Sequence, residues 1–213
     1  MTVIIFNIGF SSEYVIKALT YRGVKGVNKV ILVTATPKDE LSKKRNEDAM
    51  NAILNYLNVV GIKNVKVVSV DVNASFDEIL LQISSGVGKF DDDVEFYLIG
   101  GMRILLLSLY YIAQLISKFK KVKVVAYDES MQNSYQIPTS LPRIPSKAQV
   151  ELLKTFEKRQ SVSEASKEVG KSESTILKQI SSLEGLINCE KEGKARECET
   201  TVMGKVILNL VGE

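Results

Sequence analysis

Residues 1–137 repeat one alternation, in which a short run of β-branched and other apolar residues is followed by a longer stretch with helical spacing. The runs fall at 3–8, 30–34, 65–70, 94–99 and 122–127. They are predominantly apolar, the pattern of strands covered by helices on both faces. A chain written this way is restricted to parallel βαβ units, because parallel neighbours need a crossover and a helix supplies it. Helices are predicted at 13–21, 38–60, 76–83 and 102–118, and Met50, Ile53, Leu54 and Leu57 form an apolar stripe in the second. The fourth is apolar nearly all round, broken by Arg103, Ser108 and Gln114. One side must face the sheet, and the other packs either across a dimer axis or under a neighbouring helix.

Pro138, Pro142 and Pro145 fall within eight residues, and such clustering ends regular structure. Beyond it the spacing is helical and short-range: Val150, Leu152, Leu153 and Phe156, then Val162, Ala165 and Val169, then Ile176, Ile180 and Leu183. A hairpin over 187–201 centred on Glu192-Gly193-Lys194 and a last helix at 202–211 complete the pattern. The expected fold is therefore α/β: a Rossmann-like parallel-sheet domain over residues 1–137, a linker at 138–146 and a winged helix-turn-helix domain at 147–213.

None of the 213 residues is histidine, which excludes Ser-His-Asp and Cys-His catalysis, His-ligated zinc and His-dependent nucleases. No metal or cofactor is expected. The longest apolar stretch breaks at Ser108, well short of the ~20 residues of a membrane helix. The first eight residues lack a charged leader segment, so a cytoplasmic location is expected. Net charge is +3, with 16 basic and 14 acidic residues before Leu141 and 12 and 11 from there on. Any nucleic-acid binding must come from local placement of Lys and Arg.

Such a placement exists at residues 161–180. Ala165 admits a close helix crossing, Gly170 suits a tight turn, and Ser172 can cap the following helix. With Ile176, Ile180 and Leu183 inward, Ser174, Thr175, Lys178, Gln179 and Ser182 face outward with Ser172 at the helix start, residue types suited to base edges and phosphates. Lys191, Lys194 and Arg196 give the hairpin local basicity, against Glu190, Glu192, Glu197 and Glu199 on the same hairpin. A protein-binding head with a merely solvated face is the competing reading. Taking Gly193-Lys194 as a two-residue turn places Cys189 directly opposite Cys198 at a close, non-hydrogen-bonded pair, so a disulfide is predicted. Cytosolic disulfides of this kind point to a hyperthermophilic archaeon.

In the first domain, the first strand ends Asn7-Ile8-Gly9-Phe10-Ser11-Ser12 and runs straight into a helix. The dinucleotide fingerprint is missing, and Thr34 and Thr36 stand where a ribose-binding acid belongs, which disfavours an NAD enzyme. The fourth strand ends Gly100-Gly101-Met102-Arg103, again at a helix start. With strand order 3-2-1-4-5 these two loops flank one crevice at the switch point. The expected ligand-binding residues are Gly9, Phe10, Ser11, Ser12, Thr34, Thr36, Gly100, Gly101, Met102 and Arg103.

The two glycine loops together with the C-terminal head resemble the CRISPR-associated Rossmann-fold (CARF) winged-helix transcriptional regulators of archaea, of the Csa type, over nearly the whole chain. Met102 stands where that family usually has Thr. The resemblance implies a homodimer whose sensor domains share a pocket for a cyclic oligoadenylate, the four-membered ring by two-fold symmetry, and whose heads bind promoter double-stranded DNA. It implies no enzyme. The alternative it leaves open is a metal-independent ring nuclease, in which Ser11 and Arg103 would orient a ribose 2′-hydroxyl for in-line attack; a scaffold that binds no DNA is a third class.

Overall fold

The computed structural model describes residues 1–89, 91–193 and 195–211. The chain divides into two compact units, Met1–Ser140 and Leu141–Glu213. In the first, the order is β1 (Thr2–Ile8), α1 (Glu13–Arg22), β2 (Val27–Ala35), α2 (Glu40–Val59), β3 (Val65–Val70), α3 (Phe76–Val87), β4 (Asp93–Leu98), α4 (Arg103–Ile116), β5 (Val122–Tyr127) and β6 (Ser134–Ile137). The sheet runs β3-β2-β1-β4-β5-β6. Its first five strands are parallel, and β6 returns antiparallel on β5. This is a Rossmann-like α/β architecture.

Alternate residues of each strand feed opposite faces. Val3, Ile5, Ile31, Val33 and Phe96 pack with Ile79 and Ile83 of α3 and Leu105 and Leu109 of α4. Ile4, Phe6, Leu32 and Tyr97 pack with Val15 and Leu19 of α1 and Ile53 and Leu57 of α2. Each such side chain contributes roughly 1.5 to 3 kcal/mol by leaving water, which is why the buried lengths of β1 and β2 are largely apolar toward both faces. Helix α3 extends beyond the expected 76–83 because Val87 continues its buried stripe and Gly86 lets the helix lie against Val68.

A sixth strand was not expected. Three of the four β6 residues are exposed, so the segment lacks an apolar run. A polar turn creates it: the Asp128 carboxylate accepts from the amides of Gln132 (2.9 Å) and Asn133 (3.3 Å), the Ser130 hydroxyl (3.0 Å) and Asn133 Nδ2 (2.7 Å). Those bonds reverse the chain, and Met131 is buried at the turn.

Glu95 of β4 carries a charge into the sheet. Arg22 grips it with both forks, Nε to Oε2 and Nη2 to Oε1, each at 2.9 Å, and Tyr97 Oη donates at 3.0 Å. Burial pushes the Glu95 carboxyl up, but the Arg22 hydrogen bond and charge, with Tyr97, outweigh it and hold it below its ordinary range. Burial, then the Glu95 charge, raises the Tyr97 phenol well above its ordinary value.

The second unit contains α5 (Lys147–Thr155), β7 (Gln160–Ser161), α6 (Val162–Val169), α7 (Glu173–Ser181), β8 (Ile187–Glu192), β9 (Ala195–Thr200) and α8 (Val202–Val211). Its antiparallel sheet has the order β7-β9-β8. Leu152, Leu153, Phe156, Val162, Ala165, Ile176, Leu183, Leu186 and Leu208 form its core. Ser161 and Glu164 make a reciprocal capping box at α6, Gly170 ends that helix in the left-handed region at φ 67°, and Ser172 caps α7. Among the described residues, no helix is long and apolar enough to cross a membrane.

Candidate functional site

The strand order puts β1 and β4 side by side while their crossovers depart in opposite directions, so the loops after them meet at the switch point. They meet at backbone distance. A Cβ on Gly9 would lie 2.8 Å from Gly101 Cα, so only glycine allows the approach. Gly100 and Gly101 take φ of 65° and 76°, a left-handed pair that turns the end of β4 into α4. Asn7, wholly buried in β1, ties the loops together: its Oδ1 accepts from the Ile99 amide at 2.8 Å and its Nδ2 donates to the Gly100 carbonyl. Sequence reasoning did not assign Asn7 a role; a lone amide inside an apolar strand run was the available signal.

Four helices begin at this edge, and their first turns differ. Asp39 caps α2, its carboxylate accepting from Ser42 N at 2.8 Å. That backbone amide, followed by the Ser42 hydroxyl, holds the Asp39 carboxyl below its ordinary range. Ser75 and Glu78 close α3 with a capping box. Helices α1 and α4 start at Ser12 and Met102, neither of which makes a side-chain cap. Their first amides remain available, and a helix N-terminus with available amides favours an anion. Arg103 is exposed beside them, and its side chain makes no ion pair or hydrogen bond with any described residue.

Beside the meeting point a cleft of about 430 Å³ opens toward β2. Gly9, Phe10, Thr34, Thr36, Gly101 and Met102, all expected to bind ligand, line it; Ser11, Ser12, Gly100 and Arg103 lie outside its wall. Thr34 is buried and donates to Asn46 Oδ1 at 3.1 Å, and Thr36 shares a 3.0 Å hydrogen bond with Ser69. Lys38, Asp39, Ser42 and Asn46 also line the cleft and were not foreseen, because they sit in a densely charged helix half that reads as solvated surface. No cluster of metal-ligating side chains occurs among the described residues.

In the second unit, Ser174, Thr175 and Lys178 are exposed on α7. Three residues placed with them differ in detail. Ser172 spends its hydroxyl as the cap, accepting from Thr175 N at 3.3 Å. Ser182 donates to the Gln179 carbonyl (2.6 Å) and accepts from Gln149 Nε2 (2.7 Å). Gln179 is a correction to the expected outward face: it is half-buried, and its Oε1 is enclosed without a hydrogen-bond partner.

The β8-β9 register pairs Cys189 with Cys198, Glu190 with Glu197 and Lys191 with Arg196. Strand alternation therefore puts Lys191 and Arg196 on one face and Glu190, Glu197 and Glu199 on the other. Two of those acids have cations of their own, Glu190 with Arg159 (3.3 Å) and Glu199 with Lys205 (3.6 Å). Lys194 lies outside the described residues. Cys189 and Cys198 are disulfide-bonded, with Cα atoms 4.1 Å apart.

The family described as the Csa3 CRISPR-associated Rossmann-like domain matches residues 2–138. No curated protein matches the chain. Among similar solved structures is Can2 from Sulfobacillus thermosulfidooxidans in complex with cyclic tetra-adenylate, with 11% identity, a TM-score of 0.45 and coverage of 97% of this chain and 63% of that one. Another is a reductase domain of the aureusimine biosynthetic cluster, with 8% identity, a TM-score of 0.32 and coverage of 75% of this chain and 60% of that one. This chain thus spans less than two thirds of the length of either. Through the match over residues 2–138, the chain belongs to the Csa3 CRISPR-associated Rossmann-like domain family.

Proposed function

We propose that this protein is a ligand-responsive transcription regulator of CRISPR-associated genes, acting in an archaeal cytoplasm. Its first unit senses a cyclic oligoadenylate as a homodimer, and its second binds operator DNA as a winged helix. The observation that carries the reading is the pair of uncapped helix N-termini, α1 and α4, whose loops touch through Gly9 and Gly101. Amides so arranged suit the phosphates of a nucleotide ring, and the family membership supports that ligand class.

The dimer has support on α4. Leu107, Tyr111 and Leu115 are 56%, 45% and 48% exposed at four-residue intervals, and Phe119 continues the line just past the helix end. An apolar stripe of this length on a folded unit suits a second copy. Two-fold symmetry then matches a four-membered ring, which itself contains a two-fold axis.

For the head, the order α5, β7, α6, α7, β8, β9 suits a winged helix with α7 as the recognition helix. Ser174, Thr175 and Lys178 offer donors to the major groove, and the basic face of Lys191 and Arg196 offers phosphate contacts. In this reading the ring is bound and released intact.

The test is operator affinity by gel shift with and without saturating cyclic tetra-adenylate, followed by chromatography of the recovered ring. A coupling of ~1 to 3 kcal/mol corresponds to a 5- to 150-fold change in DNA binding. Unchanged operator affinity with tightly bound ring would contradict the reading, and linear product would favour the ring nuclease.

A further inference from the structure

The cleft holds one side chain that phosphate gripping leaves unused. Asn46, on α2, is half-buried, and its Oδ1 accepts from Thr34 Oγ1 at 3.1 Å. Thr34 is only 5% exposed and belongs to β2, so a rigid strand sets the orientation of the carboxamide. Asn46 Nδ2 donates to no described residue, while the side chain lines the cleft. Ile8, Pro37, Val72 and Met102 supply apolar wall in the same cleft, and Phe10, 59% exposed, adds an aromatic side chain. A largely apolar cleft, with Lys38, Asp39 and Ser42 also in its wall and one oriented carboxamide, suits a flat heterocycle that presents a donor and an acceptor side by side.

Resting on the ligand reading above, we propose that Asn46 reads the nucleobase and selects adenine, with Thr34 as its positioning residue. The pairing is two-pronged: Nδ2 donates to a ring nitrogen, and Oδ1 accepts from the 6-amino group. A carbonyl oxygen has two lone pairs, so Oδ1 keeps Thr34 while accepting the amino group. A 6-oxo purine loses the second bond and sets its own carbonyl against Oδ1, an acceptor facing an acceptor. Selection thus works by attraction to adenine and by repulsion of hypoxanthine or guanine.

The experiment titrates cyclic tetra-adenylate and cyclic tetra-inosinate separately into wild type, Asn46→Ala and Thr34→Val, with thermal unfolding as the check on folding. Alanine is the strongest helix former and valine is close to isosteric with threonine, so both variants should fold. In Asn46→Ala the adenylate ring should weaken about 5- to 150-fold relative to the inosinate ring, because the inosinate ring sheds the repulsion together with its single bond, and the preference collapses. Thr34→Val should lose part of the preference, the mark of positioning rather than contact. A folded Asn46→Ala protein that binds the adenylate ring with the full wild-type preference would overturn the proposal. If wild type binds neither ring, the ligand reading itself fails and base selection falls with it, an outcome recognisable because it needs no variant.

Discussion

Helices α2 and α3 start at the same sheet edge as α1 and α4, yet only the first pair brings its own cap. Asp39 and Ser75 satisfy the first amides of α2 and α3 from within the chain. At α1 and α4 the N-cap positions hold Ser12, whose side chain caps nothing, and Met102, whose side chain has no acceptor fit for the task. The difference follows position. The self-capped helices follow β2 and β3, toward one side of the sheet, whereas the uncapped pair flanks the switch point between β1 and β4. The two helix starts without a side-chain cap are thus the pair that flanks the switch point, and in the proposed reading their amides serve the ligand.

The strongest way to break this arrangement is to remove the strut beneath it. Asn7→Leu would leave the buried Ile99 amide without a partner, at a cost of about 1 to 3 kcal/mol, and would release the Gly100 carbonyl, which water can reach because Gly100 is exposed. A loss of roughly 1 to 3 kcal/mol in chemical denaturation is expected, and a loss below a few tenths would mean the loops hold their geometry without Asn7.

Away from the edge, the unit handles a buried carboxylate by pairing it internally. Glu95→Gln should cost about 1.5 to 3 kcal/mol at neutral pH. Because the folded-state pKa of Glu95 is depressed, the stability from the Arg22 pair is complete above the ordinary carboxylate range and lost as pH falls through the lower folded value. Wild type should therefore lose this contribution in acid, and the Glu95→Gln protein should lack that portion of the pH dependence. Parallel acid profiles for the two proteins would show that the pair contributes nothing.

Met102→Asp converts an open helix into a capped one. Met102 has extended backbone, φ −73° and ψ 134°, which suits a capping carboxylate. The variant should gain about 0.5 to 2 kcal/mol of stability while losing about 10-fold or more in ring affinity, since the new charge occupies the anion's place. Stability gained without affinity lost would separate α4 from the ligand.

The smallest effect is the sharpest contrast. Ser75→Ala should cost about 1 kcal/mol by removing a working cap, whereas Ser12→Ala should cost a few tenths at most. Equal losses in thermal unfolding would erase the distinction between the two pairs of helices.

The parallel sheet was legible because its central strands are buried on both faces and read as apolar runs broken only by single residues such as Asn7 and Glu95. β6 was not, since an edge strand with three exposed residues carries no such run and owes its existence to the hydrogen bonds around Asp128. The switch-point loops were legible from their glycines, but the Gly9 and Gly101 contact and the Asn7 strut depend on β1 and β4 being neighbours, a long-range fact. Asn46 stayed hidden because only the packing of α2 beside β2 brings it to Thr34. In the hairpin, counting from Gly193 gives the register, and the register separates the basic face from the acidic one. The buried Oε1 of Gln179 could not be read from helical spacing, which places that residue outward.

The central claim is that the open amides of α1 and α4 hold the phosphates of a cyclic oligoadenylate. Its most direct test is isothermal titration of cyclic tetra-adenylate into wild type and Met102→Asp side by side. The account predicts saturable binding with one ring per two chains in wild type, and markedly weaker binding in a Met102→Asp protein that is at least as stable. Equal affinity in the two proteins, or no heat of binding with rings of any size, would contradict it.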